Sequence, residues 1–152
     1  MCLVNAASRS TAAFLPRQVC SIVDLIITYH QLTRQQMKNS SKMLKKNCMS
    51  KNQVTEDQIG SIEKGKFVDD KQVMCYIACI YEMTGILKNN KLNYEASLKQ
   101  VDMMYPVELK ETTKAAIEKC KDVQKKYKDI CAASYWTTKC MYEFKPEDFI
   151  FP

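Results

Sequence analysis

From Thr33 onward, apolar residues recur at the three-to-four-residue spacing of helices lying on a core, not in the alternation of strands. Met37, Met43 and Leu44 among polar neighbours predict an amphipathic helix over 33–48. Thr55 with Gln58 three residues on is a capping-box pair. Ile59 and Ile62 give the helix that follows its buried side before Gly65 ends it, and Lys66-Phe67-Val68 reads as a short apolar connector. Asp69 and Asp70 open what reads as the longest apolar helix, expected to run to about Lys88. Within it Val73, Ile77, Ile80, Met83, Thr84 and Leu87 cover more of the circumference than a one-sided surface helix needs, so this helix is central. Asn89-Asn90 breaks it. Asn93 caps a helix from Tyr94 to Met104, Pro106 suits the first turn of another reaching Cys120 or Val123, and a last helix starts near Lys128 or Asp129.

Composition agrees with an all-α domain. Of 152 residues 46% are hydrophobic, and only 3 Gly and 4 Pro are available to punctuate a β fold or a disordered chain. The net charge of +6 arises from 23 basic and 17 acidic residues mixed along the same segments. The densest basic cluster, Lys42, Lys45 and Lys46, is a solvated face rather than a nucleic-acid footprint, so no nucleic-acid partner is expected.

Residues 1–32 read differently. Arg9 and Arg17 lead into Val19-Cys20-Ser21-Ile22-Val23-Asp24-Leu25-Ile26-Ile27, a secretory-signal pattern interrupted by Asp24 and lacking a small-residue cleavage site. The stretch is too short and too charged to span a membrane. It is taken as a signal peptide or atypical leader, with the working domain at 33–152. His30, the single histidine, leaves with the leader, as do Cys2 and Cys20. The remaining domain then lacks the commonest general base and metal ligand, which argues against an enzyme of the Ser-His-Asp or Cys-His type and against a cofactor or catalytic metal.

Cys48, Cys75, Cys79, Cys120, Cys131 and Cys140 are separated by 26, 3, 40, 10 and 8 residues. An even set of thiols in a domain of this size reads as three disulfides, and so as a protein of an oxidising, extracellular compartment; sequence alone leaves every pairing open. Cys75 and Cys79 share one helix face and point to neighbouring segments. Apolar residues also crowd the far end, where Phe149, Ile150 and Phe151 lie in a region that is ordinarily polar and frayed. Such a tail either patches the core or forms one wall of a cavity.

The cysteine intervals, the segment Met74-Cys75-Tyr76-Ile77-Ala78-Cys79 and the apolar tail together resemble the six-cysteine insect odorant-binding proteins (the PBP/GOBP family), most closely their LUSH-like branch, over residues 33–152. The resemblance implies six α-helices around an apolar cavity, stapled by the interlocked pairs Cys48 to Cys79, Cys75 to Cys131 and Cys120 to Cys140. It implies a ligand-binding lining of Thr84, Ile86, Leu87, Leu92, Met104, Ser134, Met141 and Phe151, with Val101 and Phe149 as neighbours. Where alcohol-binding members carry a Ser and a Thr near the end of the third helix, this chain has Tyr81 and Ile86. Thr84 and Ser134, with Tyr81 if it points inward, are then the polar anchors. Where that branch often has a Trp at the tail, this chain has Phe151.

The function implied is extracellular carriage of a small hydrophobic ligand (odorant, pheromone, long-chain alcohol, ester or fatty acid) through aqueous lymph to an olfactory receptor or membrane surface, by a monomer or weak homodimer. Without a histidine, a pH response would fall to carboxylates such as Glu143, Glu147 and Asp148, and so to strongly acid conditions. Three alternatives have other signatures. A non-olfactory secreted carrier of lipids, hormones or amines differs in tissue, a saposin-like membrane binder differs in cysteine order, and a cytosolic zinc protein would keep Cys75 and Cys79 as free thiolates.

Overall fold

The computed structural model describes residues 33–152, so the expected leader, residues 1–32 with Cys2, Cys20 and His30, lies outside the described residues. Six α-helices follow: α1 (Arg34–Asn52), α2 (Glu56–Ile59), α3 (Lys71–Met83), α4 (Tyr94–Met104), α5 (Val107–Cys120) and α6 (Ile130–Phe144). Single 3-10 turns at Ile62–Lys64 and Val123–Lys126 lie between helices, and a third at Pro146–Asp148 leads from α6 into the tail. A two-stranded hairpin, β1 (Leu87–Lys88) with β2 (Lys91–Leu92), lies between α3 and α4.

The helix starts follow from local chemistry. Each free N-terminal amide needs an acceptor. Thr33 and Gln36 form a reciprocal capping box on α1; the Asp70 carboxylate accepts from Gln72 and Val73 N–H, Asn93 from Ala96 and Asp129 from Ala132. Three lengths differ from the sequence reading. The first helix, expected to end at Cys48, runs on to Asn52, where Gln53 caps it in the left-handed conformation. The segment after Thr55 was expected to be one helix to Gly65, but it breaks at Gly60 into α2 and a 3-10 turn. Gly65 adopts φ +82°, and a Cβ there would lie 2.4 Å from the Tyr142 side chain, so close approach of the last helix as well as the turn calls for glycine. The central helix, expected to reach Lys88, stops at Met83. Gly85 takes φ +76°, and the Thr84 hydroxyl donates back to Ile80 and Tyr81 carbonyls, which terminates the helix. Ile86 and Leu87 therefore leave the helix, and Asn89 and Asn90, at φ 51° and 56°, turn the chain into the hairpin as a two-residue primed turn does.

The core lies around α3. Val73, Tyr76, Ile77, Cys79 and Ile80 are buried and continuous with Cys48, Ile59, Ile62, Tyr135, Phe149 and Phe151. α3 packs most extensively on α6 and next on α1, while α4 packs chiefly on α5. The disulfides follow the same map, with the pairing implied by the resemblance. Cys48–Cys79 joins α1 to α3, Cys75–Cys131 joins α3 to the first turn of α6, and Cys120–Cys140 joins α5 to α6, closing spans of 31, 56 and 20 residues. By chain entropy each is worth roughly 3 to 4 kcal/mol. No disulfide reaches α4, the hairpin or the tail.

Candidate functional site

Three adjoining pockets lie between the stapled helices and the parts that carry no staple. The largest, of about 650 Å³ with its mouth included, is bounded by Met37 and Leu44 of α1, Ile80 and Thr84, Ile86, Gln100 and Met104 of α4, Tyr105, and the tail from Ile150 to Pro152. The second, of about 380 Å³, lies beneath the hairpin between Tyr81, Ile86, Leu92, α4, Ile117, and Thr137 and Met141 of α6. The third, of about 310 Å³, lies against the tail between Tyr105, Thr112, Thr113, Ala116, Met141, Phe149 and Ile150. Ile86 lines the first two, Met141 the second and third, and Tyr105 and Ile150 the first and third. Three side chains and one tail residue thus partition a single region whose walls are mostly apolar and whose size suits a small ligand.

The tail forms its wall by burial and by an ionic latch. Phe151 packs edge-on against Tyr76 and Tyr81 and stacks on Phe149, which meets Tyr142 edge-on. The Tyr76 hydroxyl donates to the Pro152 carbonyl at 3.1 Å. Just before this aromatic run, Asp148 pairs with Lys145 at 3.0 Å and Arg34 at 3.7 Å, and Arg34 donates to the Glu147 carbonyl. The hydrogen bond from Lys145, with lesser help from Thr112 and Arg34, holds the Asp148 carboxyl below its ordinary 3.8.

Of the ligand-binding residues expected from sequence, Thr84, Ile86, Leu92, Met104, Met141, Phe149 and Phe151 line these pockets, whereas Leu87, Val101 and Ser134 line none of the three. Val101 is buried in packing and Leu87 sits on β1. The polar anchors need revision. Thr84 has committed its proton to its own helix. Ser134 is fully buried with an unpaired hydroxyl, but away from the three pockets. Tyr81 does reach the hairpin pocket, and its hydroxyl lies 2.7 Å from Thr138.

Sequence reasoning passed over Tyr105, Gln100 and Thr137. Tyr105 sits in the turn before Pro106, where a linker residue was expected, yet burial pushes its phenol up to about 12 and it divides two pockets. Thr137 is masked by its polar side chain; the available signal is its position four residues before Met141, on the same face of α6. All six cysteines of the domain are in disulfides, which leaves Cys75 and Cys79 no thiolate for zinc.

Comparison with known proteins agrees with this architecture. The chain is 31% identical over 121 residues to general odorant-binding protein 72 of Anopheles gambiae, covering 80% of this chain and 99% of that protein. It is 34% identical over 92 residues to general odorant-binding protein 19a of Drosophila melanogaster, covering 60% of this chain and 63% of that protein. Among solved structures, odorant binding protein 4 of Chrysopa pallens superposes with a TM-score of 0.72 at 39% identity, and Apis mellifera odorant binding protein 5 with 0.74 at 27%. Each match covers 80% of this chain and 99% of the other. The profile of the PBP/GOBP family matches residues 30–144, and the chain belongs to that family.

Proposed function

We propose that this protein is an extracellular carrier that holds a small hydrophobic ligand, of the odorant or pheromone kind, in the region divided by Ile86, Tyr105 and Met141. The observation that carries the reading is the set of three neighbouring, mostly apolar pockets that share lining residues and lie between a disulfide-stapled helical frame and the hairpin, α4 and tail, in a chain whose relatives are named odorant-binding proteins. No catalysis is involved: carriage needs burial and release, not bond chemistry. Burying about 250 Å² of ligand apolar surface supplies on the order of 6 kcal/mol, and micromolar affinity, roughly 8, then requires cavity surface and one or two polar contacts. Met104 and Met141 suit this role because an unbranched thioether repacks around varied shapes.

Three disulfides support an oxidising compartment outside the cell. Residues 1–32 then serve as the leader removed on secretion, and delivery to an olfactory receptor or membrane surface by a monomer or weak homodimer completes the proposal. The test is displacement of the fluorescent apolar probe N-phenyl-1-naphthylamine from the disulfide-intact protein by long-chain alcohols, aldehydes, esters and fatty acids. Displacement at micromolar concentration is expected; failure of the probe to bind at all would remove the carrier reading.

A further inference from the structure

Near the start of α1 stands the triplet Asn39-Ser40-Ser41, and no other asparagine of the chain has Ser or Thr two residues on. In a protein that passes through the secretory pathway, Asn-x-Ser/Thr without a central proline is the acceptor for an N-linked oligosaccharide. Three residues alone are a weak signal, and their setting in the fold decides. Asn39 is exposed. Met37, Ser40, Ser41 and Leu44 turn toward the largest pocket, and Asn39, two residues from both Met37 and Ser41, falls on the opposite side of the helix. Its Oδ1 accepts from Gln35 Nε2 at 3.3 Å, while its Nδ2 donates to no atom of the described residues. An N-linked sugar replaces one Nδ2 proton and keeps Oδ1, so the bond from Gln35 survives the modification. One turn on lies Met43, at 74% the most exposed large apolar side chain among the described residues. It leans back along the helix toward Asn39, where the first sugars would cover it.

The same geometry dates the event. Side chains two apart on a helix do not face each other, and the Ser41 hydroxyl donates to the Lys38 carbonyl at 2.9 Å. The folded helix therefore cannot present the asparagine and the hydroxyl together as one acceptor. The triplet is readable only before α1 forms, while the chain is being translocated. Chain order allows this, because the staple on α1 joins Cys48 to Cys79, both of which are synthesised after Asn39.

We propose that Asn39 is an N-glycosylation site, modified during secretion on a face of α1 that leaves the pockets open. The inference rests on the extracellular reading and adds a covalent group to it. The donor is an oligosaccharide carried on a lipid pyrophosphate. The bond from Asn39 Nδ2 to the sugar C1 forms and the bond from C1 to the pyrophosphate oxygen breaks. One Nδ2 proton passes to a base, and the lipid pyrophosphate departs with the electron pair.

Expression of the full chain in cultured insect cells, with mass spectrometry of the protein in the medium before and after an N-glycan amidase, tests this. The secreted protein should carry one oligosaccharide, lost on digestion with conversion of the Asn39 amide to the acid in its peptide. Asn39→Gln and Ser41→Ala should each abolish the added mass, whereas Ser41→Thr and Ser40→Ala should keep it. N-phenyl-1-naphthylamine should bind the glycosylated and the digested protein equally, because the sugar lies across the helix from the pocket. Secreted protein without the added mass, or amidase-sensitive mass retained in Asn39→Gln, would overturn the assignment while leaving the extracellular reading intact. Tighter probe binding after digestion would overturn the placement of the sugar away from the pockets. Protein of unmodified mass confined to the cells would remove both the site and the extracellular reading.

Discussion

The frame formed by α1, α3, α5 and α6 and the wall formed by the hairpin, α4 and the tail are held by different physics. In the frame, the three disulfides join helices whose interfaces are buried. In the wall, the hairpin hangs on one glutamine side chain, α4 rests chiefly on α5, and the tail is seated by aromatic packing and an ionic latch. Each of the three pockets takes part of its lining from both regions. On the proposed function, a covalent frame would preserve the cavity's shape while a non-covalent wall would let a ligand enter and leave by local opening, at a fraction of the cost of global unfolding.

Breaking the frame should have the largest effect. Replacing Cys75 and Cys131 together by serine removes the staple with the longest span, 56 residues, and should cost about 4 kcal/mol of stability, read by thermal or denaturant unfolding. Breaking the tail comes next. Phe151→Ala deletes a ring packed against Tyr76, Tyr81 and Phe149 and should cost about 3 kcal/mol while weakening probe binding; unchanged affinity would make the tail a core patch only. Gln124→Ala loosens the hairpin alone. Loss of its two bonds to Leu92 should cost about 1 to 2 kcal/mol and speed exchange of the Leu92 amide without altering that of α3.

The smallest effect is that of mild acid. Because the folded-state value of Asp148 lies below its ordinary 3.8, the latch contributes fully above 3.8 and is lost only as pH falls below it through the lowered value. The domain after residue 32 contains no histidine. Ligand affinity should therefore be flat between about pH 5 and 8, the range in which a histidine would titrate. A transition centred near pH 6 in protein beginning at Thr33 would contradict this.

The frame was the more legible region in the sequence. Thr33, Asp70, Asn93 and Asp129 are short polar residues ahead of periodic apolar runs, so their capping roles follow from chemistry within a single turn of helix. The cysteine pairing came through family resemblance, because spacing cannot choose partners. The wall was harder to read. Ile86 and Leu87 continue the apolar spacing of α3, and only the left-handed Gly85 with the Thr84 back-bonds sends them into a hairpin. Thr84, Thr137 and Ser134 look alike as letters. Whether such a residue spends its hydroxyl on its own helix, lines a pocket or is sealed in packing is decided by tertiary neighbours, which periodicity does not encode.

Amide hydrogen exchange with and without N-phenyl-1-naphthylamine tests the division of labour most directly. The account predicts that amides of α3 and α6 are strongly protected in both states, while residues 87–104, spanning the hairpin and α4, exchange faster without the probe and become protected when it binds. Uniform protection across frame and wall, with no ligand-dependent change over 87–104, would contradict it.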